Sequence, residues 1–208
     1  MSREVALLIG AGEIGDKERL SDSFDKANQI VAVDGGIRHL RSMNKVPTLV
    51  VGDLDSAKDE DLQWARENGA EIVHLTSQSE SDLAKALNLC HEREWYEILV
   101  DGIEGSRHDH LIGGFATLAN ADQSLNISAN LLSTSLHRFV TGFSGKIALS
   151  GTFSIFSFGT TNVTLLGPEW ELNEENITFS TRGLSNVAHC DAELTIHGGD
   201  PLFILINQ

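Results

Sequence analysis

The sequence predicts an α/β protein in two parts: an N-terminal doubly wound, mostly parallel sheet with helices, then a C-terminal antiparallel β-sandwich. Over the first ~125 residues, short apolar runs alternate with helical patterns, which is typical of a parallel sheet. Later segments are short, rich in Thr, Val, Ile and Phe, and separated by Gly, Asn and Ser, as in antiparallel sheets. No proline-rich linker joins the halves, so we expect a short, packed junction between domains at 1–131 and 132–208.

The elements of the first part follow from periodicity and from turn residues. Helices are expected at Ala57–Asn68, which Gly69 ends, at Asp82–Glu92, which carries an apolar stripe, and at Asp109–Ala121, which is rich in small residues. The expected strands are Val5–Ile9, Ile30–Val33, Leu49–Val51, Ile72–His74 and Ile98–Val100. In the second part they are Lys146–Leu149, Phe153–Phe158, Asn162–Leu166, Ile177–Ser180, Glu193–His197 and Leu202–Ile206.

Composition narrows the function classes. The 208 residues include 30 acidic and 15 basic ones, giving a net charge of −15, which argues against non-specific nucleic-acid binding. An acidic protein still binds a nucleotide when a divalent cation screens the phosphates. The two cysteines, Cys90 and Cys190, are far apart, and the N-terminus has no signal-peptide pattern. No apolar run is long enough for a membrane span, so we expect a soluble cytoplasmic protein.

The most informative motif is Val50-Val51-Gly52-Asp53-Leu54-Asp55-Ser56, in which an apolar strand ends in two carboxylates. Side chains two apart on an extended backbone share one face, and two close carboxylates favour a bound cation. At the C-terminal end of a strand, this pattern indicates a magnesium site. Ser56 is expected to cap the following helix, with Asp59 completing a capping box, but that leaves Asp53 and Asp55 unexplained.

The segment Gly10-Ala11-Gly12-Glu13-Ile14-Gly15 matches the dinucleotide fingerprint, with Asp34 further along as the candidate ribose ligand. We interpret it as a decoy, because Gly35 and Gly36 directly follow Asp34 and suggest a close backbone approach to a ligand at that strand end. A nicotinamide site also gives no role to Asp53 and Asp55.

Further charged residues follow the other strands. Asp82 opens a helix after Ser79-Glu80-Ser81, where the alternatives are a capping box from Ser79 and an ion pair with Lys85. Asp101-Gly102-Ile103-Glu104-Gly105-Ser106-Arg107-His108-Asp109-His110 combines glycines with an arginine before a helix and is a plausible phosphate cradle. The alternative role of Asp109 is an N-cap, and that of His110 is a half-buried imidazole. The spacing of His108 and His110 is only a weak indication of a transition-metal site. Together the strand ends carry what a magnesium–nucleotide transferase needs.

In these segments the chain resembles the thiamine pyrophosphokinase family. The resemblance extends to Leu166-Gly167-Pro168-Glu169-Trp170 and Leu184-Ser185-Asn186, which are similar to the family's Gly-Leu-x-Trp and Ser-x-Ser-Asn segments. It implies transfer of a pyrophosphoryl group from ATP to the thiamine hydroxyl, with release of AMP. It also implies an α/β catalytic domain that binds nucleotide and Mg²⁺, a sandwich domain for thiamine and dimerisation, and a homodimer with sites between subunits.

Carried over residue by residue, the resemblance implies three sets of site residues. The catalytic set is Asp34, Asp53, Asp55, Asp82 and Arg107, of which Asp53, Asp55 and Asp82 would hold magnesium. The nucleotide set is Gly35, Gly36, Ser56, Lys85, Gly102, Gly105, Ser106, Arg107, Asp109 and His110. The thiamine set is Trp170, which would stack on the thiamine ring by reaching into the site of the partner subunit, with Ser185 and Asn186 lining the pocket. The proton acceptor stays open among Asp34, Asp55 and Asp82.

The chain departs from the family at three points. Ser79 stands where the family usually has an aspartate, Ser106 where a second glycine is common, and Pro168-Glu169 alter the run before Trp170. Two alternatives therefore stay open: a pyrophosphokinase for another alcohol such as a hydroxymethylpterin, and a non-catalytic regulator that binds thiamine or nucleotide. In either case the expected partners are small molecules, without nucleic acid or membrane.

Overall fold

The computed structural model describes residues 4–207, which form two compact units that meet in the chain between Leu132 and Ser133. Residues Met1–Arg3 lie outside the described residues, and so does that part of the signal-peptide prediction. Within the described range, no helix combines the length and apolar character needed to cross a bilayer.

The first unit alternates strands and helices along its whole length. Its helices are α1 (Lys17–Lys26), α2 (Ile37–Ser42), α3 (Asp59–Glu67), α4 (Asp82–Glu92) and α5 (His108–Asn120). Its strands are β1 (Val5–Ile9), β2 (Gln29–Val33), β3 (Leu49–Gly52), β4 (Glu71–His74), β5 (Glu97–Asp101) and β6 (Asn126–Asn130). A 3₁₀ turn at Asp34–Gly36 connects β2 directly to α2.

These six strands form a parallel array in the order β6-β5-β1-β2-β3-β4. The order reverses between β1 and β5, which makes the sheet doubly wound, as predicted. The strands are buried because helices cover them, and the apolar side chains of β1, β2 and β3 pack with α1, α2 and α3 in one core that includes Leu7, Ile9, Leu20, Leu40 and Leu62.

The second unit is an antiparallel sandwich. Its strands are β7 (Thr134–Phe139), β8 (Ser144–Ile147), β9 (Gly151–Ser157), β10 (Thr160–Leu166), β11 (Leu172–Thr178), β12 (Asn186–Ala188), β13 (Ala192–Gly199) and β14 (Leu202–Asn207). They pair in the orders β12-β9-β14-β7 and β11-β10-β13-β8. Side chains from both layers, such as Phe153, Ile204, Val163 and Leu194, share one buried core.

The predicted fold class is confirmed, and each predicted strand and helix overlaps an observed one, although β11 begins at Leu172 rather than at Ile177. Short or polar elements escaped prediction: α2 has six residues, and β6 and α1 carry few apolar side chains. Strands β7 and β12 were missed for the same reason.

One capping prediction, for Ser56, and two capping alternatives, for Ser79 and Asp109, were wrong. Helix α3 begins only at Asp59 after Lys58, and the Ser56 hydroxyl instead bonds the Asp55 carboxylate. The N-cap of α4 is Ser81, whose hydroxyl accepts from the Ala84 amide, so Ser79 does not cap it. Helix α5 starts after Arg107, which places Asp109 in the first turn rather than at the cap. In each case the N-cap lies two residues from the candidate that the pattern indicated.

Candidate active site

The ends of β1, β2 and β3 are held unusually close together by glycines. A Cβ on Gly36 would collide with the Ile9 carbonyl, so the turn after β2 can lie directly against the end of β1 only because this residue is glycine. Gly52 has φ +149°, and a Cβ there would lie 3.0 Å from that of Asp34. The backbone therefore brings the residues after β2 and β3 to one place.

Three carboxylates converge at this edge. One oxygen each from Asp34, Asp53 and Asp82 lies within 4.8 Å of the others. Asp34 follows β2, Asp53 follows β3, and Asp82 is the first residue of α4. Three like charges at this spacing repel one another unless a proton or a cation lies between them. The arrangement suits a hard divalent cation with oxygen ligands.

Asp34 is the most constrained of the three. Its side chain is buried with 9% of the residue exposed, and its backbone adopts φ +45°, which is uncommon for a residue other than glycine. Burial, and to a lesser degree the charge of Asp82, raises the pKa of this carboxyl, although hydrogen bonds from Gly35 and Ser56 oppose the shift. Among the described residues, its buried Oδ1 has no hydrogen-bond partner. An unpartnered buried carboxylate oxygen is a fitting cation ligand.

Asp53 is held in the ionised form by its neighbours. The Asp55 amide donates to Asp53 Oδ1 at 3.3 Å, and this bond lowers the pKa of Asp53, with help from Gln78. Gln78 Nε2 approaches Asp53 Oδ2 at 3.4 Å. Asp55 itself is exposed and lies outside the close cluster, where its carboxylate accepts from the Ser56 hydroxyl at 3.0 Å.

Asp82 connects the cluster to the interior. Its Oδ1 accepts from the Asp53 amide at 3.0 Å and from Lys85 Nζ at 2.8 Å. Lys85 is only 5% exposed, so its ammonium depends on this ion pair. Lys85 was expected to bind nucleotide. In the structure Lys85 pairs with Asp82. Its ammonium therefore neutralises part of the negative charge of the cluster.

The loops after β1 and β5 are joined to each other by backbone hydrogen bonds. The amides of Gly10, Gly12 and Glu13 donate to the carbonyls of Asp101, Gly102 and Glu104 at 2.8, 2.7 and 2.6 Å. A Cβ on Gly12 would lie 2.6 Å from the Gly102 oxygen and closer still to that of Glu104. The glycines of the apparent fingerprint therefore serve this contact. Their amides are occupied, which removes the basis for a pyrophosphate cradle there.

The segment after β5 separates into a buried and an exposed part. Gly102 is buried with φ +71° against Gly10, whereas Ser106, Arg107, Asp109 and His110 are exposed and Gly105 is half-buried. Arg107 donates to both carboxylate oxygens of Asp109, at 3.3 and 2.6 Å. This pair keeps the guanidinium extended at the N-terminus of α5, where a phosphate would compete with Asp109 for its donors.

In the second unit, the predicted thiamine residues form one local structure. The buried Asn186 accepts from the Trp170 amide at 3.2 Å and donates to the Trp170 carbonyl at 2.8 Å. Trp170 is 53% exposed, and these two bonds anchor its backbone. Ser185 has φ +58°, and its amide donates to the Ser154 hydroxyl at 3.1 Å. An exposed indole on a fixed backbone is suited to stacking on a flat cationic ring.

Two features of the site were missed from the sequence. Asp34 was placed among the catalytic residues but not among the metal ligands, whereas the structure puts it in the close cluster in place of Asp55. Gln78 was not considered, although it lies in the polar segment before α4 and contacts Asp53. The Gly-Gly after Asp34 was the available signal, because it indicated a tight turn that folds Asp34 back against β3.

Comparisons with known proteins identify the family of the chain. Residues 20–129 match the family model described as thiamin pyrophosphokinase, catalytic domain. Thiamin pyrophosphokinase 1 of Caenorhabditis elegans is 28% identical over 109 residues, which are 48% of this chain and 43% of that protein. The match thus spans less than half of the length of that relative.

Solved structures with similar folds come from bacteria and yeast. Thiamine pyrophosphokinase from Bacillus subtilis superposes with a TM-score of 0.79 at 24% identity, over 98% of this chain and 99% of that one. The yeast thiamin pyrophosphokinase gives 0.80 at 15% identity, over 100% and 87%. A thiamin pyrophosphokinase family protein from Enterococcus faecalis gives 0.81 at 19% identity, over 99% and 100%. The family model covers more than half of the 208 residues, and the chain therefore belongs to the thiamin pyrophosphokinase catalytic-domain family.

Proposed function

We propose that this protein transfers a pyrophosphoryl group from ATP to the hydroxyl of thiamine, giving thiamine diphosphate and AMP. The observation that carries the proposal is the convergence of Asp34, Asp53 and Asp82 within 4.8 Å at one sheet edge of a chain in this family. Such a cluster suits a reaction in which a cation must neutralise a polyphosphate.

Magnesium fits this cluster. Its members are carboxylates only, which are the ligands that Mg²⁺ prefers, and one buried oxygen of Asp34 lacks a partner among the described residues. We expect Asp34, Asp53 and Asp82 to hold the ion, with the exposed Asp55 next to it. When bound, Mg²⁺ would neutralise phosphate charge and make the β-phosphorus easier to attack.

The protein's own groups would bind and orient the reactants. Arg107, released from Asp109, would hold phosphate oxygens through its two-pronged donors. The half-buried Gly105 and the hydroxyl of the exposed Ser106 would lie beside the same phosphates. Lys85 would hold Asp82 in place through their ion pair.

The transfer itself would be an in-line displacement. The thiamine hydroxyl oxygen forms a bond to the β-phosphorus, the bond from that phosphorus to the bridging oxygen of the α-phosphate breaks, and AMP leaves with that oxygen. The hydroxyl proton passes to a carboxylate of this edge, for which Asp34, Asp55 and Asp82 are the candidates.

Thiamine recognition and assembly are the second part of the proposal. Trp170 would stack on a thiamine ring, and Ser185 with Asn186 would line the pocket, in a homodimer whose sites lie between subunits. The exposure of the indole and its anchored backbone support this role. A cytoplasmic location agrees with the two free cysteines.

The experiment is a product analysis of purified protein with ATP, Mg²⁺ and thiamine. We expect one AMP and one thiamine diphosphate for each thiamine consumed, and neither product in EDTA. Turnover with a hydroxymethylpterin but not with thiamine would move the proposal to the other pyrophosphokinase. Formation of ADP in place of AMP would contradict the reaction.

A substitution separates an enzyme from a binding protein. In Asp53→Asn, turnover should fall by about 10²-fold or more, because a cation ligand is lost, whereas thiamine affinity measured by calorimetry should change little. Asp59→Asn, at an exposed position of α3, is the matched control. If wild-type protein binds thiamine but never turns over ATP, the non-catalytic regulator is the better account.

A further inference from the structure

The first unit carries a groove whose charged lining is basic, whereas the carboxylate edge is acidic. A groove of about 500 Å³, here called the α1–α2 groove, lies between helices α1 and α2. Its lining consists of Ile14, Lys17, Leu20, Ser21, Phe24, His39, Ser42, Met43 and Lys45. This volume is typical of sites for small organic ligands.

The charge of this groove is unusual for the molecule. The protein has twice as many acidic as basic residues, yet both charged groups that line the groove, Lys17 and Lys45, are lysines. Within residues 4–207, neither lysine takes part in an ion pair. Lys45 Nζ lies 4.9 Å from the centroid of the Phe24 ring, which fixes its position while leaving its N–H donors free for an anion.

The acidic residues of helix α1 do not line the groove. Lys17, Leu20, Ser21 and Phe24 follow the 3–4 spacing of one helical face and line the groove. The acidic residues Glu18, Asp22 and Asp25 have the same spacing one position further along, and they are absent from the lining. The acids therefore lie on a different face of the helix and do not neutralise the groove.

The rest of the groove suits an apolar body with polar attachments. Ile14, Leu20, Phe24 and Met43 supply apolar surface, while the hydroxyls of Ser21 and Ser42 lie at the same cavity. The His39 imidazole donates through Nε2 to the Gly12 carbonyl at 2.8 Å, since a carbonyl only accepts. Burial lowers the pKa of His39, so the positive charge of the groove comes from the two lysines.

We propose that the α1–α2 groove is a binding site for a small amphipathic organic anion, separate from the carboxylate edge. The two lysines bind the anionic group, and the apolar residues between them contact the body of the ligand. An apolar floor between two cations that lack ion pairs is the combination that such a ligand requires, because it supplies both the contact area and the charge.

The probe is anilinonaphthalene sulfonate, which joins an aromatic body to one anionic group and fluoresces when it binds. We expect one saturable site on the full-length protein. The double substitution Lys17→Gln with Lys45→Gln should weaken binding about fivefold to tenfold, as expected for two partly exposed charge contacts. The matched control, Lys58→Gln with Lys146→Gln, removes two exposed lysines outside the groove and should leave binding unchanged.

Two further arms complete the test. Ser21→Trp keeps both lysines but fills the groove, and this variant should abolish binding of the probe. The uncharged analogue phenylnaphthylamine should bind wild-type protein more weakly than the sulfonate does. Its affinity should be the same for wild-type protein and for the double lysine variant. Equal affinity of wild type and double variant for the sulfonate, or stronger binding of the uncharged analogue, would overturn the proposal.

Competition with Mg·ATP tests whether the site is separate. We expect ATP to leave the fluorescence of the bound probe unchanged. If ATP displaces the probe from wild-type protein but not from the double lysine variant, the groove is part of the nucleotide site. That result would overturn the claim of a separate site. These readouts measure binding and not turnover, so their failure would leave the pyrophosphokinase proposal unaffected.

Discussion

Asp34 combines several features that each cost stability. Its carboxyl is buried, one of its oxygens has no partner among the described residues, and Asp82 faces it with the same charge. Its backbone adds strain through φ +45°. A protein retains such a residue when function compensates for the lost stability. A bound cation would compensate for the burial of the Asp34 charge and for its repulsion by Asp82.

A metal-free stability measurement tests this view of Asp34. Its raised pKa means that the folded state binds the proton more tightly than the unfolded state, so the penalty appears as the pH rises above 3.8 and is complete above the folded pKa. Asp34→Asn removes the charge and tolerates the same backbone. We expect the variant to be more stable than wild type by about 1 kcal/mol in urea unfolding at pH 7 with EDTA.

The same comparison has two internal checks. Below pH 3.8 the difference between Asp34→Asn and wild type should vanish, and Asp22→Asn, at an exposed position of α1, should show no such pH dependence. Added Mg²⁺ should stabilise wild type and not the variant. A variant that is less stable than wild type in EDTA at pH 7 would show that the Asp34 carboxylate is not a source of strain.

The two cysteines differ in their surroundings. Cys90 is fully buried in α4, where burial raises the pKa of its thiol to about 12, whereas Cys190 is exposed. Because the thiolate is the reactive form, we expect an aromatic disulfide reagent to label only Cys190 in the folded protein and both after denaturation. Cys190→Ser should abolish the rapid labelling. Rapid labelling that persists in this variant would contradict the burial of Cys90.

At the scale of elements, the contact between the loops after β1 and β5 decides where the site lies. In doubly wound sheets, ligands usually bind at the point where strand order reverses. Here that point is occupied by backbone hydrogen bonds between Gly10–Glu13 and Asp101–Glu104. The carboxylates accordingly gather after β2 and β3, one and two strands away from β1.

Two glycine substitutions test this contact. Gly12→Ala would press its Cβ against the Gly102 and Glu104 carbonyls, so we expect a loss of about 2 kcal/mol or more. Gly113 lies in α5 with nothing within 4 Å of an added Cβ, and Gly113→Ala should stabilise the helix by about 0.5–1 kcal/mol. The measurement is urea unfolding followed by circular dichroism. Similar effects for both variants would contradict a structural role for Gly12.

The elements differ in how far the sequence could predict them. Strands such as Leu49–Gly52 and helix Asp82–Glu92 were predictable because their apolar periodicity is strong and Gly or Ser marks their ends. Helix α2 was not, because six residues hold less than two turns of pattern. The cap of α3 was misplaced because the Ser56 hydroxyl bonds the carboxylate of the preceding Asp55, and the helix begins only at Asp59.

The candidate site was predictable to the extent that it depends on strand ends. Asp53 and Asp82 were expected as metal ligands, because strand C-termini meet at one edge. The exchange of Asp55 for Asp34 in the close cluster does not follow from periodicity, and its one sequence signal was the Gly35-Gly36 pair. It depends on the tight packing of Gly36 against Ile9 and of Gly52 against Asp34. Tertiary contacts of this kind leave no periodic signal in the sequence.

At the scale of the whole molecule, the charge of −15 is consistent with chemistry that depends on a cation. An acidic surface repels free ATP, so binding of the nucleotide should require Mg²⁺ to screen its phosphates. The cation would be held at a single edge of the first unit, where Asp34, Asp53 and Asp82 meet. In the proposed reaction the β- and γ-phosphates are transferred together.

The most direct measurement follows the phosphate itself. With ATP labelled at the β-phosphorus, Mg²⁺ and thiamine, the account predicts that the label appears in thiamine diphosphate and that the released AMP is unlabelled. The triple variant Asp34→Asn, Asp53→Asn, Asp82→Asn should show no transfer. Label recovered in ADP, or transfer that persists in the triple variant, would contradict the central claim that this carboxylate cluster serves pyrophosphoryl transfer.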